Sequence, residues 1–482
     1  MSGNKEATSL AKNAVFSVIY RLMNILFPLI SYGYVARKLT SDYVGRQAAA
    51  VNNVSYFIIL GSLGIHAYAT REIARRKNDK KERDKFYSEM IIIGGILTLI
   101  ACAVFLLCLE LIPVFRADRL LYLICGISVT TNILNSDWYF QGIEDFKFIA
   151  ARSFLIKTLS LIAVFLFVHK PEDIYIYALI GTLSTVLVHL LGFARAMKDV
   201  HLSFRRAELK RHLRPLLFLA LCLVSTELYA RMDVTMLDIM KEHSVVASYS
   251  YAQKIVNLII VTLIAVTAVF LPRLSYYFVN EKEKFNKLTK FGADAMIFIS
   301  IPTCLGLAAI AFPLVHVWLG AGYEDAIPCM IILAFMIPLK CIGDIVCYQV
   351  MMCAGQESFL MISYMITLFV NGINNLLLIP KYGALGASVA SLISEIIVFA
   401  IVIVRSRKYQ NYKLNIRNLV VTTIASLAMF GSVIGFSYLV EPMWLQLVGG
   451  ILLGGSVFAA LTILLKNNFI TREVLKAYKS ML

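Results

Sequence analysis

Residues 225–238 read STELYARMDVTMLD, a glutamate, an arginine and two aspartates set among small and apolar neighbours. Glu227 and Arg231 stand four apart with the glutamate first, the favoured order for a charge pair on one helix face. Asp233 falls about 200° round from Arg231 at 100° per residue. An arginine so placed either belongs to a structural ion pair or grips an oxyanion, because its planar fork matches carboxylate and phosphate bidentately. Other groups of this kind recur in apolar surroundings. SYAQKIVN carries Lys254, and YRLMN carries Arg21 with Asn24 three residues on. Lys340 and Asp344 repeat the spacing of four and read either as a self-satisfied pair or as part of a functional site. Glu395 and His66 stand alone, His66 reading as structural, and Arg152 and Lys157 read as snorkelling from near a run's end. Amides form stripes at helical spacing: Asn132 and Asn135 with Ser136 and Tyr139, Asn52 and Asn53 with Tyr56, and Asn371 with Asn374 and Asn375. Such amides serve interhelical hydrogen bonds, about 0.6 kcal/mol each, and equally serve sugar recognition.

These groups are positioned by a very apolar chain. Of 482 residues, 59% are hydrophobic and only 16% charged, well under the quarter of a soluble domain. Apolar stretches recur at about 20 residues, each long enough for a hydrocarbon core of roughly 30 Å. The reading is an all-α integral membrane protein with about fourteen spans: 14–36, 47–69, 88–110, 119–141, 148–168, 174–194, 215–238, 246–271, 291–313, 325–352, 359–379, 384–404, 418–440 and 443–465. Pro328 and Pro338 predict a kinked or tilted tenth span. The first apolar run holds Arg21 and Asn24 and lacks a signal-peptide cleavage pattern, so it reads as the first span. Charged groups inside spans are costly and usually face a bundle interior or a wet cavity.

The net charge of +16 is a topology signal. Of the 46 Lys and Arg, 32 fall at the termini and even-numbered connections, 8 on the opposite side and 6 within spans. By the positive-inside rule both termini are cytoplasmic, and a nucleic-acid role is set aside. The nine cysteines form no C-x-x-C pair and read as small buried residues. No G-x-x-x-x-G-K-[ST] loop indicates ATP as the drive. No connection is long enough for a catalytic domain, so the chain reads as a non-enzyme without a cofactor.

Between spans four and five lies NSDWYFQGIEDFKF, residues 135–148, read as a cytoplasmic hairpin. Gly142 is expected to permit its turn, Trp138, Tyr139 and Phe140 to sit at headgroup depth, and Asp137, Glu144 and Asp145 to lie beside water. This aromatic segment ending in QG resembles the polysaccharide flippases of the MOP superfamily. So do LTSDYVGRQAAAVNNVSYFIILGSLGIHAYATREIA, YARMDVTMLDIM and LIPKYGALGASVASLISE, in the same order along the chain. The Wzx-type branch, which moves O-antigen, capsular or teichoic-type saccharides, is the nearest resemblance. It implies two six-helix bundles plus two further helices, bounded here as 1–205, 206–415 and 416–482.

The resemblance also implies a lipid-linked oligosaccharide as substrate, in the plasma membrane of a bacterium, with a polymerase and glycosyltransferases as partners. A diphosphate headgroup needs cations in a wet path, for which Arg21, Arg231 and Lys254 are suited, with Asn24, Asn132 and Asn135 toward sugar. Glu227, Asp233, Lys340, Asp344 and Glu395 are the candidate charge partners or carriers of coupled H⁺ or Na⁺, in an alternating-access cycle. A MATE-type drug or cation antiporter should favour carboxylates and aromatics over cations. A membrane-embedded polymerase or ligase should present a long outer loop. Lipid II flippases are close relatives with a cationic cavity.

Overall fold

A computed structural model describes residues 27–203, 208–467 and 469. Arg21 and Asn24 lie outside the described residues. Every regular element among these is helical. The chain folds as two compact units, 1–231 and 232–482.

The first unit begins with α1, described over 27–38. It continues with α2 (Ser41–Ser62), α3 (Ile65–Arg75), α4 (Lys80–Leu111), α5 (Pro113–Ala117), α6 (Arg119–Thr130) and α7 (Asp137–Gly142). Then come α8 (Phe146–Phe167), α9 (Ile174–Asp199) and the start of α10 (Lys210–Met240). The expected second span is bent by 41° between α2 and α3, where Leu63 and Gly64 take positive φ. Asp79 caps α4 by accepting from the Glu82 amide, and Asp145 caps α8 by accepting from the Phe148 amide, each satisfying a donor that the helix start leaves over. The fourth span is not continuous. After α6 the chain tightens into a 3₁₀ turn, Thr131–Leu134, breaks, and restarts as α7.

Several features of residues 135–148 differ from expectation. Trp138, Tyr139 and Phe140 are buried in a hydrophobic core of this unit with Phe86, Tyr87 and Ile149, not arrayed as an interfacial belt. Gly142 is helical, and the positive φ of the turn belongs to Glu144, at 64°. What Gly142 supplies is closeness: a Cβ there would stand 2.6 Å from Ile73 Cγ2 and 3.0 Å from the Thr70 carbonyl oxygen. Arg152 does not snorkel. It is buried, donates to Asp137 Oδ1 at 2.6 Å and to the Val188 carbonyl at 3.1 Å, and lies over the Phe148 ring. Asp137 is therefore an ion-pair partner and not a water-facing charge.

The second unit takes the end of α10, then α11 (His243–Thr267), α12 (Leu271–Asn280), α13 (Lys282–Trp318), α14 (Ala326–Ala334), α15 (Met336–Gly343) and α16 (Val350–Cys353). It closes with α17 (Glu357–Ser406), α18 (Ile416–Leu439) and α19 (Met443–Leu464). The tenth span breaks between α14 and α15, just before Pro338, whose ring and missing N–H disrupt the preceding turn. A π segment, Asp344–Gln349, follows α15. Gly383, with φ 56°, separates α17 into two helical arms. α18 and α19 pack on α13, tied by Asn418, which donates to the Asp294 carbonyl, and Thr422, which accepts from Asn467.

By length and composition, nine helices among the described residues can cross a membrane, or ten if α2 and α3 form one span. Four expected spans fall outside that count. The first lies mostly outside the described residues. The fourth is broken and short. α10 includes residues 218, 219, 222 and 223, whose side chains are not among those described. The eleventh and twelfth are the two arms of α17, counted once. The chain is an all-helical, multi-pass membrane protein.

Candidate functional site

In the first unit, Arg231 Nε donates to Glu227 Oε2 at 2.9 Å along α10. Both side chains are partly open, 33% and 41% exposed, so the pair is reachable and not a sealed structural bridge. Asn52 of α2 donates to the Arg231 carbonyl at 3.2 Å, fixing α2 against this turn of α10. Neighbouring amides are used in packing. Asn53 donates to the Tyr122 hydroxyl, and Asn132 to the Ile58 carbonyl. Asn135 accepts from the Asp137 amide and so starts α7.

In the second unit, Asp233 is buried on the last turns of α10 and collects donors from other helices. Tyr249 of α11 donates to its Oδ2 at 2.5 Å, Ser391 of α17 donates to the same oxygen, and Asn375 donates to Oδ1 at 2.6 Å. Asn375 also donates to Asn371 Oδ1. No ion pair to Asp233 is found among the described residues. A carboxylate held by neutral donors alone can exchange a proton, or exchange donors for a small cation bound by oxygen.

A second polar nest lies beside the π segment. The self-satisfied Lys340–Asp344 pair, one of the two readings of this spacing, is not made. Lys340 instead reaches across to Glu395 of α17 at 2.7 Å, and Asp344 accepts from Thr267 at 2.6 Å and Gln349 at 2.7 Å. The winding of the π segment changes the local spacing after Gly343, and a partner on another helix takes the ammonium. Lys340, Asp344 and Glu395 line a cavity of about 200 Å³ with Tyr348 and Tyr364. Lys254 lies over the Tyr251 ring, 5.1 Å from its centroid, a cation–π contact.

One cluster is not singled out by the sequence. Glu89 of α4 is fully buried and accepts from the Glu208 amide at 2.9 Å, Arg211 at 2.8 Å and His212 at 2.9 Å. His212 in turn meets the Tyr68 hydroxyl at 2.8 Å. Nearby, Asp84 and Ser88 accept from the amides of His201 and Ser203, and the bonded Lys85 ammonium holds the Glu208 carboxyl below its ordinary range. The signal is a glutamate at the first turn of an apolar run, SEMIIIGG, masked by eight basic residues just before it. The cluster stitches the segment entering α10 to α4.

The helical architecture is similar to that of solved transporters of the MOP superfamily. "Lipid II flippase MurJ, inward closed conformation" is similar with TM-score 0.79 and 16% identity, covering 95% of this chain and 100% of that one. An inward-facing multidrug resistance MATE transporter of the MOP superfamily is similar with TM-score 0.60 and 15% identity, covering 82% and 97%. Residues 10–278 match the polysaccharide biosynthesis protein family, and the chain belongs to that family. Over 417 residues it is 23% identical to "Putative O-antigen transporter" of Escherichia coli K12, covering 84% of this chain and 99% of that protein. Over 242 residues it is 26% identical to "Probable low-salt glycan biosynthesis flippase Agl15" of Haloferax volcanii, about half of each chain.

Proposed function

We propose that the protein is a flippase that carries a polyprenyl-diphosphate-linked oligosaccharide from the cytoplasmic to the outer leaflet of a bacterial plasma membrane, for cell-surface polysaccharide synthesis. The observation that carries this is the near end-to-end similarity to the O-antigen transporter, which supports the same class of cargo. The half-open Arg231–Glu227 pair supports a headgroup site in the transport path, since a diphosphate offers the bidentate partner a guanidinium prefers. Lys254, in the second unit, and Arg21, outside the described residues, are candidate cations by residue type. The chain works by alternating access, carrying its cargo's headgroup and leaving the tail in apolar surroundings. Asp233, with its neutral donors, is the best supported carrier of a coupled H⁺ or Na⁺. The Lys340–Glu395 pair and Asp344 form a second candidate for that role.

The test is deletion of the gene in its own host, followed by assay of lipid-linked saccharide on each face of the membrane. Saccharide should accumulate on the cytoplasmic face and return to the surface when the intact gene is restored. Unchanged surface polysaccharide and no internal accumulation would refute the reading. Transport assayed in vesicles with an imposed Na⁺ or pH gradient separates the two coupling ions, and Asp233→Asn should abolish dependence on whichever is used.

A further inference from the structure

Asp84 and Ser88 stand one turn apart on α4, with Glu89 next to Ser88. All three accept backbone amides from residues that lead into α10. His201 donates to Asp84 at 3.1 Å, Ser203 to Ser88 at 2.9 Å and Glu208 to Glu89 at 2.9 Å. Lys85 of the same helix reaches the Glu208 carboxylate at 3.0 Å. This ladder ends on His212, which is 1% exposed. Its ring lies between the Glu89 carboxylate and the Tyr68 hydroxyl, with the Phe86 ring edge-on to it. The charged groups that act on it are Glu89 of α4, Arg76 of α3 and Arg211 of its own helix. Arg211 donates to Glu89 at 2.8 Å and to His212 Nε2 at 3.2 Å, and Arg76 is held by Glu72.

We propose that this cluster is an acid-released clasp: protonation of His212 frees His201, Ser203 and Glu208 from α4 and loosens the first turns of α10. The proposal goes beyond the flippase reading and does not depend on it. Glu89 already has a guanidinium, so an imidazolium would set a second cation on one carboxylate in a site closed to water, where an unmatched charge is costly. Burial is the largest cause holding His212 below its ordinary value, and Arg211 and Arg76 push the same way against Glu89. The docked form therefore binds fewer protons than the released form, in which the histidine regains a value of about 6.5. Docking is at full strength above that value and weakens as pH falls through it toward the docked one. At about pH 5.5, one unit lower, the release equilibrium rises by up to about ten-fold. Acid on this face would loosen the start of the helix that carries Glu227 and Arg231.

The experiment is amide hydrogen exchange on the full-length protein in lipid nanodiscs, resolved to single residues and corrected for the intrinsic rate, at about pH 7.5 and 5.5. Protection at His201, Ser203 and Glu208 should fall by roughly five- to ten-fold. The amides of Glu82 and Phe148, which donate to Asp79 and Asp145 in the same unit, should keep theirs. His212→Gln, which cannot titrate, should remove the pH dependence. If that variant is not recovered as a monodisperse protein, exchange at the histidine C2 carbon of the unaltered chain takes its place, and His212 should titrate below about 6.5. Unchanged protection at the three amides, an equal loss at Glu82 and Phe148, a fall that persists in His212→Gln, or a His212 midpoint at or above the ordinary value would overturn the proposal.

Discussion

Arg231 and Arg152 are both arginines within helices, and their surroundings set them opposite tasks. Arg231 makes an i,i+4 pair that is a third exposed, an interaction worth only about 0.3–0.5 kcal/mol on an open helix face. The pair itself therefore contributes little to stability. Arg231→Ala should therefore reach the membrane at normal abundance and fail to export saccharide, with Arg231→Lys keeping partial activity because the charge remains and the fork is lost. The swap Glu227→Arg with Arg231→Glu restores the pair, so a structural role predicts recovered export and a headgroup role predicts none; we expect none, by assay of surface polysaccharide. Arg152 is the reverse case, with its side chain 2% exposed against Asp137 at 14%. Truncating one partner of such a pair leaves a buried charge, at a cost of about 3–5 kcal/mol. Arg152→Ala should lower abundance and the detergent melting temperature sharply, and Arg152→Met with Asp137→Leu should recover most of the loss. The Glu227–Arg231 pair was legible because both partners share one helix. The Asp137–Arg152 pair was not, because its members meet only once the fourth span has broken and folded back.

Elements were read best where one period runs unbroken. The long apolar helices α4, α8, α9, α18 and α19 stand where hydropathy puts them. Hydropathy carries no information about a chain that changes its winding, so the 3₁₀ turn at Thr131–Leu134, the bend at Gly64 and the π segment at Asp344–Gln349 are not legible from it. Gly142 shows the same limit. Sequence marks a glycine at a turn, but its use is to let α7 lie against α3. Gly142→Ala would press a methyl onto Ile73 and the Thr70 carbonyl, and overpacking of this kind costs about 1–3 kcal/mol. The expected result is a lower melting temperature in detergent, because the crowding atoms are the Cγ2 and Cβ of Ile73 and a backbone carbonyl. Gly383 differs in kind, since its positive φ and not its lack of bulk is what the chain uses. Gly383→Ala should therefore destabilise the kink between the arms of α17 with no rescue by trimming Val245, the side chain nearest the added Cβ.

At the scale of the whole molecule, the class of fold was the most legible property, because it rests on composition and the repeat of apolar runs and not on any one contact. Sidedness is likewise a collective quantity. Single arginines such as Arg46, paired with Asp118 at 2.7 Å, say little about which face they occupy, yet 32 of 46 basic residues gather at the termini and on one set of connections. Moving a positive charge outward across an energised membrane costs about 2.3 kcal/mol per 100 mV, so the segment at Thr70–Lys85, with eight basic residues, strongly resists translocation. The opposite connections, such as Lys170–Asp173 and Glu441–Met443, are short and lightly charged and offer no such resistance. An even number of crossings would then put both termini on the basic face. Green fluorescent protein fused after Leu482 should fluoresce, and alkaline phosphatase fused there should be inactive, while phosphatase inserted after Glu441 should be active. Active phosphatase at Leu482 would reverse every side assigned above and would place Arg231 nearer the face from which the cargo starts.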